Sequence, residues 1–104
     1  MNVSEQEANS IYLLAESLKL SAKKAIPLLE AALKYAPHNF SAAEYLSFLF
    51  LEQNKPKECL KVCNETLKLI SGEPNSIEIS FHLFNNKAAS LNLLGRFSES
   101  IPIL

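Results

Sequence analysis

Apolar residues recur along this chain at the i, i+3, i+4, i+7 spacing that places them on one face of an α-helix. The first such segment carries Ile11, Leu14, Ala15 and Leu18. The full pattern predicts five helices and the start of a sixth, over residues 5–20, 22–36, 41–53, 56–70 and 76–94 and from residue 97. The alternating residues 77–81 leave a short strand open as an alternative to helix. The pattern therefore predicts an all-α protein.

Capping residues mark where several of these helices begin and end. Ser21 is predicted to cap the second helix, and Ser41 is predicted to cap the third in a capping box with Glu44. Pro56 stands at the first position of the fourth helix, where proline is favoured because no N–H is needed there. Gly95 is predicted at the C′ position that closes the fifth helix.

The apolar stripe of the second helix is repeated in the fourth helix. The residues Ala25, Ile26, Leu29, Ala32 and Leu33 recur 34 positions later as Cys59, Leu60, Cys63, Thr66 and Leu67. A fixed period of this length is typical of stacked helical pairs, in which no single pair can bury its apolar face alone. The sequence therefore predicts an array of helix pairs and argues against catalysis.

This pattern resembles the tetratricopeptide repeat (TPR), an antiparallel pair of helices A and B with preferred residue sizes at a few positions. The matching positions in the second unit are Ala43, Leu46, Ser47, Phe50, Asn54, Cys59, Cys63 and Thr66. Those in the third unit are Ala88, Leu91, Gly95, Phe97 and Ser100, and the first unit matches in its helix B at Ala25, Leu29, Ala32 and Pro37. An unrelated array of α-hairpins stays open as an alternative, because large residues fill any helical bundle.

The resemblance implies a single domain over residues 1–104, built as a right-handed superhelical α-solenoid of about 2.5 repeats. The expected units are repeat 1 over residues 5–38, repeat 2 over 40–73, an insertion near 71–77 and a partial repeat 3 over 78–104. The last helix B is incomplete, so we expect the chain to be truncated at its C-terminus. The alternative is that the uncovered C-terminal face docks on another chain, which includes self-association.

Composition and charge limit the partners and the cell compartment that we expect for this protein. The 104 residues are 48% hydrophobic and 20% charged, which is typical of one folded domain. The net charge of −1 gives no electrostatic reason to expect nucleic acid or an anionic membrane as a partner. The chain also lacks an apolar run of the ~20 residues that a membrane span needs, and a secretory signal. We therefore expect a cytoplasmic or nuclear protein that is not secreted or inserted in a membrane.

The sequence offers little chemistry for catalysis. It has no glycine-rich phosphate loop, no His-Glu-x-x-His motif and no nucleophile elbow. All eleven acidic residues are Glu, which removes many metal and acid–base templates. Cys59 and Cys63 lie four residues apart on one predicted helix, where a disulfide is disfavoured, and we interpret them as small buried residues. We therefore expect no enzyme, and we predict no catalytic, cofactor-binding or metal-binding residue.

The family resemblance implies a binding surface on the A helices, which line the inner face of such arrays. The groove residues that it implies are Tyr12, Glu44, Tyr45, Phe48, His82, Asn85, Asn86 and Asn92. Asparagine amides can pair with a peptide backbone, and Tyr45 and Phe48 can anchor an apolar side chain. For Phe48 and Leu51, packing against neighbouring helices is the competing interpretation. The expected function is a protein interaction module, or scaffold, that binds a peptide segment of a partner in this groove.

Two other functions stay open at this point. The chain can be a structural subunit that packs into a larger assembly through its open C-terminal end. It can also be a co-chaperone clamp, in which groove cations grip the C-terminal carboxylate of a heat-shock protein. Tyr45, His82 and Asn86 stand where that clamp has asparagine, lysine and arginine. Because little would then hold a carboxylate, the clamp is the least favoured of the three functions.

Overall fold

The computed structural model of this chain describes residues 4–71 and 77–96. Its helices are α1 (Glu5–Ser17), α2 (Ala22–Tyr35), α3 (Phe40–Glu52), α4 (Pro56–Ile70) and α5 (Ile77–Leu93), and the described residues contain no strand. The predicted all-α class is thereby confirmed, and the strand alternative at residues 77–81 is wrong because α5 begins there. Most of the predicted insertion, the predicted sixth helix, Phe97 and Ser100 lie outside the described residues. Among the described helices, none combines the length and the hydropathy of a membrane-spanning segment.

Two helix ends differ from the predicted ones for local reasons. Helix α1 ends at Ser17 instead of residue 20, because the next residues form a turn in which the N–H of Leu20 donates to the Ser17 carbonyl at 3.1 Å. Helix α3 begins at Phe40, and its N-cap is Asn39, whose Oδ1 accepts the N–H of Ala42 at 3.2 Å. The predicted capping box that starts at Ser41 is therefore wrong. Asparagine is as good an N-cap as serine. Because Asn39 precedes Ser41 in the chain and caps the helix, α3 already begins at Phe40.

Helices α3 and α5 end in the same way. The residue after each C-cap, Asn54 or Gly95, adopts the left-handed conformation, with φ of 56° and 76° respectively. The next N–H then donates back to the last turn, from Lys55 to the Phe50 carbonyl and from Arg96 to the Leu91 carbonyl, at 2.8 Å in both cases. This is the Schellman arrangement, which confirms the predicted role of Gly95. Asn54 performs the same role for α3, because asparagine tolerates positive φ better than other non-glycine residues.

Each helix packs against the next helix in the chain, and α3 also packs against α5. The core lies between them and combines small residues with large ones: Ala25, Leu29, Ala32, Ala42, Leu46, Leu49, Phe50, Cys59, Cys63, Ile70 and Leu83. The two stripes related by the 34-residue period thus both face inwards, since Thr66 is buried as well. The small residues let the helix backbones approach closely, and the large ones fill the space that remains.

The buried face of α1 is different from its apolar stripe. Ile11 and Leu18 are 57% and 63% exposed, whereas Ser10 and Ser17 are fully buried. A buried hydroxyl is tolerated only when it is hydrogen-bonded, and the Ser10 Oγ donates to the Ala32 carbonyl of α2 at 2.7 Å. The small serine side chains therefore allow α1 to lie close to α2, and three of the four apolar residues that predicted the helix stay exposed to solvent.

We expect Gly95→Ala to lower the free energy of unfolding by about 1 kcal/mol. Apart from the glycine and its two chain neighbours, no atom of the described residues lies within 4 Å of an added Cβ at residue 95, so the expected cost comes from the positive φ. The measurement is urea denaturation followed by circular dichroism. Asn54→Gly is the matched control, and the free energy of unfolding should stay the same or rise, because glycine adopts that φ without a penalty. A loss of equal size in both variants would contradict this account of the two helix ends.

Candidate functional site

A concave cavity of about 420 Å³ opens on one side of the helices. Its lining consists of Leu14, Leu18, Ser41, Glu44, Tyr45, Phe48, His82 and Asn86, and we refer to it as the groove. The residues come from α1 and its C-cap, from α3 and from α5, and none of them belongs to α2 or α4. Three helices that are not consecutive in the chain therefore share one surface.

Helical spacing explains why these particular side chains meet. Residues 41, 44, 45 and 48 follow the i, i+3, i+4, i+7 rule along α3, and residues 82 and 86 lie one turn apart on α5. The other sides of α3 carry the buried Leu46 and Phe50. Helix α3 is thus apolar around most of its circumference, but only part of it is covered by neighbouring helices. Its uncovered face supplies the middle of the groove.

The lining of the groove is apolar with a few polar groups. Phe48 is 47% exposed, so it is accessible to a ligand, while Tyr45 is partly buried and packs against the core. Leu51 packs against the core, as the competing interpretation predicts, whereas the Phe48 ring is half exposed. Among the described residues of the lining, Glu44 is the one acid, and none is a lysine or an arginine. The groove therefore suits an apolar side chain next to a hydrogen-bond donor or a cation.

Asn86 contributes to the wall of the groove through hydrogen bonds that hold helices together. Its Nδ2 donates to the buried Ser47 Oγ on α3 at 2.8 Å, and that hydroxyl donates to the Glu44 carbonyl at 2.7 Å. The backbone carbonyl of Asn86 accepts from Ser90 Oγ at 2.9 Å and is approached by the Cys59 thiol at 3.7 Å. The Asn86 side chain thus connects α5 to α3, which limits its freedom to bind a peptide.

The structure brings together five of the eight residues that were predicted for the groove. Glu44, Tyr45, Phe48, His82 and Asn86 line it. The other three, Tyr12, Asn85 and Asn92, are exposed but are not part of this lining.

Sequence reasoning missed Leu14, Leu18 and Ser41 as groove residues. The two leucines belonged to the α1 stripe, and a stripe of this kind normally indicates core. Leu18 does not follow this rule and stays 63% exposed. Ser41 is predicted as a helix cap, which is a role on the backbone and not in a groove. No signal in the sequence separates these three residues from ordinary packing or capping positions.

A second asparagine–serine pair, partly buried, connects α1, α2 and α3. Asn39 Nδ2 donates to Ser10 Oγ at 2.9 Å, and Ser10 Oγ donates to the Ala32 carbonyl. An open cavity of about 520 Å³ lies beside this pair, between the start of α1 and the α2–α3 turn. Its lining is more polar than that of the groove, with Ser4, Gln6, Glu7, Tyr35 and His38 beside the bonded pair, and none of its described lining residues comes from α5.

The cysteines are buried and free, and they lie on the side of α4 that faces the core. The hydrogen bond with Cys59, together with burial, raises the pKa of the Cys63 thiol, which therefore stays protonated at neutral pH. No cluster of three or more histidine, cysteine or acidic residues suited to a metal ion occurs in residues 4–71 and 77–96.

Comparison with known proteins gives no relative for this chain. Neither a family model, nor a curated protein, nor a solved structure matches it. The function is therefore inferred from the geometry of the groove and the chemistry of its lining.

We expect Ser47→Ala to lower the free energy of unfolding by about 1–2 kcal/mol, because it removes the acceptor for the Asn86 amide in a buried position. Denaturant titrations of Ser47→Ala, Asn86→Ala and the double variant measure the coupling between the two side chains. The losses should not add, since both single variants break the same bond. Ser41→Ala, an exposed serine on the same helix, is the control and should change the free energy by less than about 0.5 kcal/mol. Fully additive losses would contradict a direct bond.

Proposed function

We propose that this chain is a protein interaction module with TPR-like stacked helix pairs, and that its groove binds a peptide segment of a partner protein. One observation carries the proposal: the groove is lined by α1, α3 and α5, which are alternate helices of the chain. In an array of helix pairs, the first helices of successive pairs share one face, and that face is the concave binding surface.

The burial pattern supports the helix-pair arrangement. The positions that carry the TPR resemblance on described helices are buried: Ala25, Leu29, Ala32, Ala43, Leu46, Ser47, Phe50, Cys59, Cys63, Thr66, Ala88 and Leu91. Helices α3 and α5, which would be the A helices of the second and third pairs, end in the same Schellman arrangement and pack against each other. The right-handed superhelix and the boundaries of the repeats stay proposals.

The chemistry of the groove defines the peptide that it would prefer. Phe48, Tyr45 and Leu18 offer an apolar site for one large side chain, which is the usual centre of a peptide interface. The Glu44 carboxylate lies beside it and favours a lysine, an arginine or a backbone N–H. Because no lysine or arginine lines the groove, a C-terminal carboxylate has no cationic partner there. The co-chaperone clamp therefore stays disfavoured.

The proposal can be tested by selecting peptides from a displayed random library on the purified chain and measuring their affinity by fluorescence anisotropy. We expect selected peptides to share a large apolar residue next to a basic one. Phe48→Ala should weaken their binding by about tenfold or more, because it removes the exposed aromatic anchor. Phe84→Ala is the matched control, since Phe84 is 42% exposed on α5 and lies outside the groove. Equal affinity for the wild-type chain and Phe48→Ala would refute peptide binding at this site.

A second candidate function is favoured by the exposed face of α5. Ile77 and Phe81 are 83% and 62% exposed, and Phe84 lies on the same side of the helix. Contiguous exposed apolar side chains of this kind are typical of a surface that packs against another chain. The chain would then be a structural subunit of a larger assembly or would associate with itself through this face.

Light scattering over a range of protein concentrations, combined with circular dichroism, tests this second function. Self-association through α5 predicts a concentration-dependent increase in mass for the wild-type chain and a helical monomer for Ile77→Glu combined with Phe81→Glu, because the charges cannot be buried without a partner. The control replaces Ile11 and Tyr12 by Glu, since both are exposed apolar residues on α1. A wild-type monomer at all concentrations would rule out self-association and leave the groove as the favoured surface.

A further inference from the structure

A third open cavity, of about 510 Å³, lies between α4 and the end of α5. Its lining is Lys57, Leu60, Lys61, Asn64, Leu94 and Arg96, and we refer to it as the basic cleft. It shares no residue with the groove. The cleft is thus a separate surface, with its own set of side chains.

Among the described residues, the lining of the cleft contains three cationic side chains and no acid. Lys57 and Lys61 are one turn apart on α4, so their ammonium groups lie on the same side of the helix. Both lysines are exposed, and neither forms a salt bridge with an acid of the described residues. Arg96 lies at the other wall and has an interaction of its own, so the two lysines carry the argument. Like charges this close repel each other, and an anionic ligand would relieve that repulsion.

The rest of the lining shows what kind of anion would fit. Leu60 and Leu94 are partly buried and supply the apolar part of the lining, and Asn64 supplies an amide. A ligand that satisfies the whole cleft has carboxylates next to an apolar side chain, which is the chemistry of an acidic peptide segment. A nucleic acid is the poorer fit, because its backbone needs an extended positive surface and the chain has a net charge of −1.

We propose that the basic cleft binds an acidic peptide segment of a partner protein, with an apolar side chain on Leu60 and Leu94 and carboxylates at Lys57 and Lys61. This surface goes beyond the proposed peptide groove and does not depend on it. A chain with both sites would hold two segments of different charge, one in the groove and one in the cleft. Because the binding is electrostatic in part, it should weaken as salt is added.

The test selects peptides from a displayed random library on the wild-type chain, with counter-selection on the variant Lys57→Glu combined with Lys61→Glu. We expect enrichment of peptides that combine glutamate or aspartate with leucine or a similar residue. Fluorescence anisotropy should then show affinity that is lower by about tenfold or more for the charge-reversed variant. The control variant, Lys23→Glu with Lys24→Glu, makes the same change in net charge at two exposed lysines of α2 outside the cleft, and it should bind as the wild-type chain does.

The remaining outcomes separate this proposal from its alternatives. Circular dichroism should show both charge-reversed variants as helical as the wild-type chain, because acidic residues near the start of a helix are favourable. Phe48→Ala should leave binding of the acidic peptides unchanged, so a failure of the groove is distinguishable from a failure of the cleft. The proposal is overturned if the counter-selected library yields no acidic peptides. It is also overturned if a single-stranded RNA binds more tightly than the acidic peptides, since the cleft would then serve nucleic acid.

Discussion

The structure depends on the close approach of helices at small buried residues, among them the serines Ser10 and Ser47. Ser10 and Ser47 are fully buried, and each hydroxyl accepts an asparagine amide from another part of the chain and donates to a backbone carbonyl. A larger side chain at either position would push the helices apart, and an alanine would leave the amide without its acceptor. Because these polar groups are satisfied, the small residues can remain in the core without a penalty, and the helices can stack closely.

The same hydrogen bonds fix the shape of the groove. Asn39 caps α3 and bonds to Ser10 of α1, while Asn86 of α5 bonds to Ser47 of α3. The helices joined in this way are the three that line the groove, so their separation is set by specific bonds as well as by apolar packing. A binding surface that is fixed before the ligand arrives loses less entropy on binding. This also explains why Asn86 acts as part of the wall, whereas Phe48 is the more accessible anchor.

The net charge is only −1, but the chain has two surfaces of opposite charge. Among the described residues, no lysine or arginine lines the groove that holds Glu44, and no acid lines the cleft that holds Lys57 and Lys61. Charge separated in this way contributes more to the choice of partner than to affinity, since a segment of the wrong sign is repelled. If both proposed sites are occupied together, the chain would serve as a connector between two segments and not as a receptor for one.

Local patterns in the sequence were enough to predict the helices, because periodicity and capping depend on neighbouring residues: α4 is found at the predicted residues, and Gly95 closes α5. These patterns also indicated which faces of α2 and α4 are buried, since the 34-residue period selects the same inward positions twice. Contacts between helices in the folded chain explain why Leu18 and Phe48 stay exposed while Ser10 is buried. Periodicity identifies an apolar face on a single helix, but which side chains a neighbour covers depends on contacts between residues far apart in the chain. The groove and the basic cleft arise from those contacts, because the groove joins helices that are not consecutive and the cleft joins residues that lie far apart in the chain.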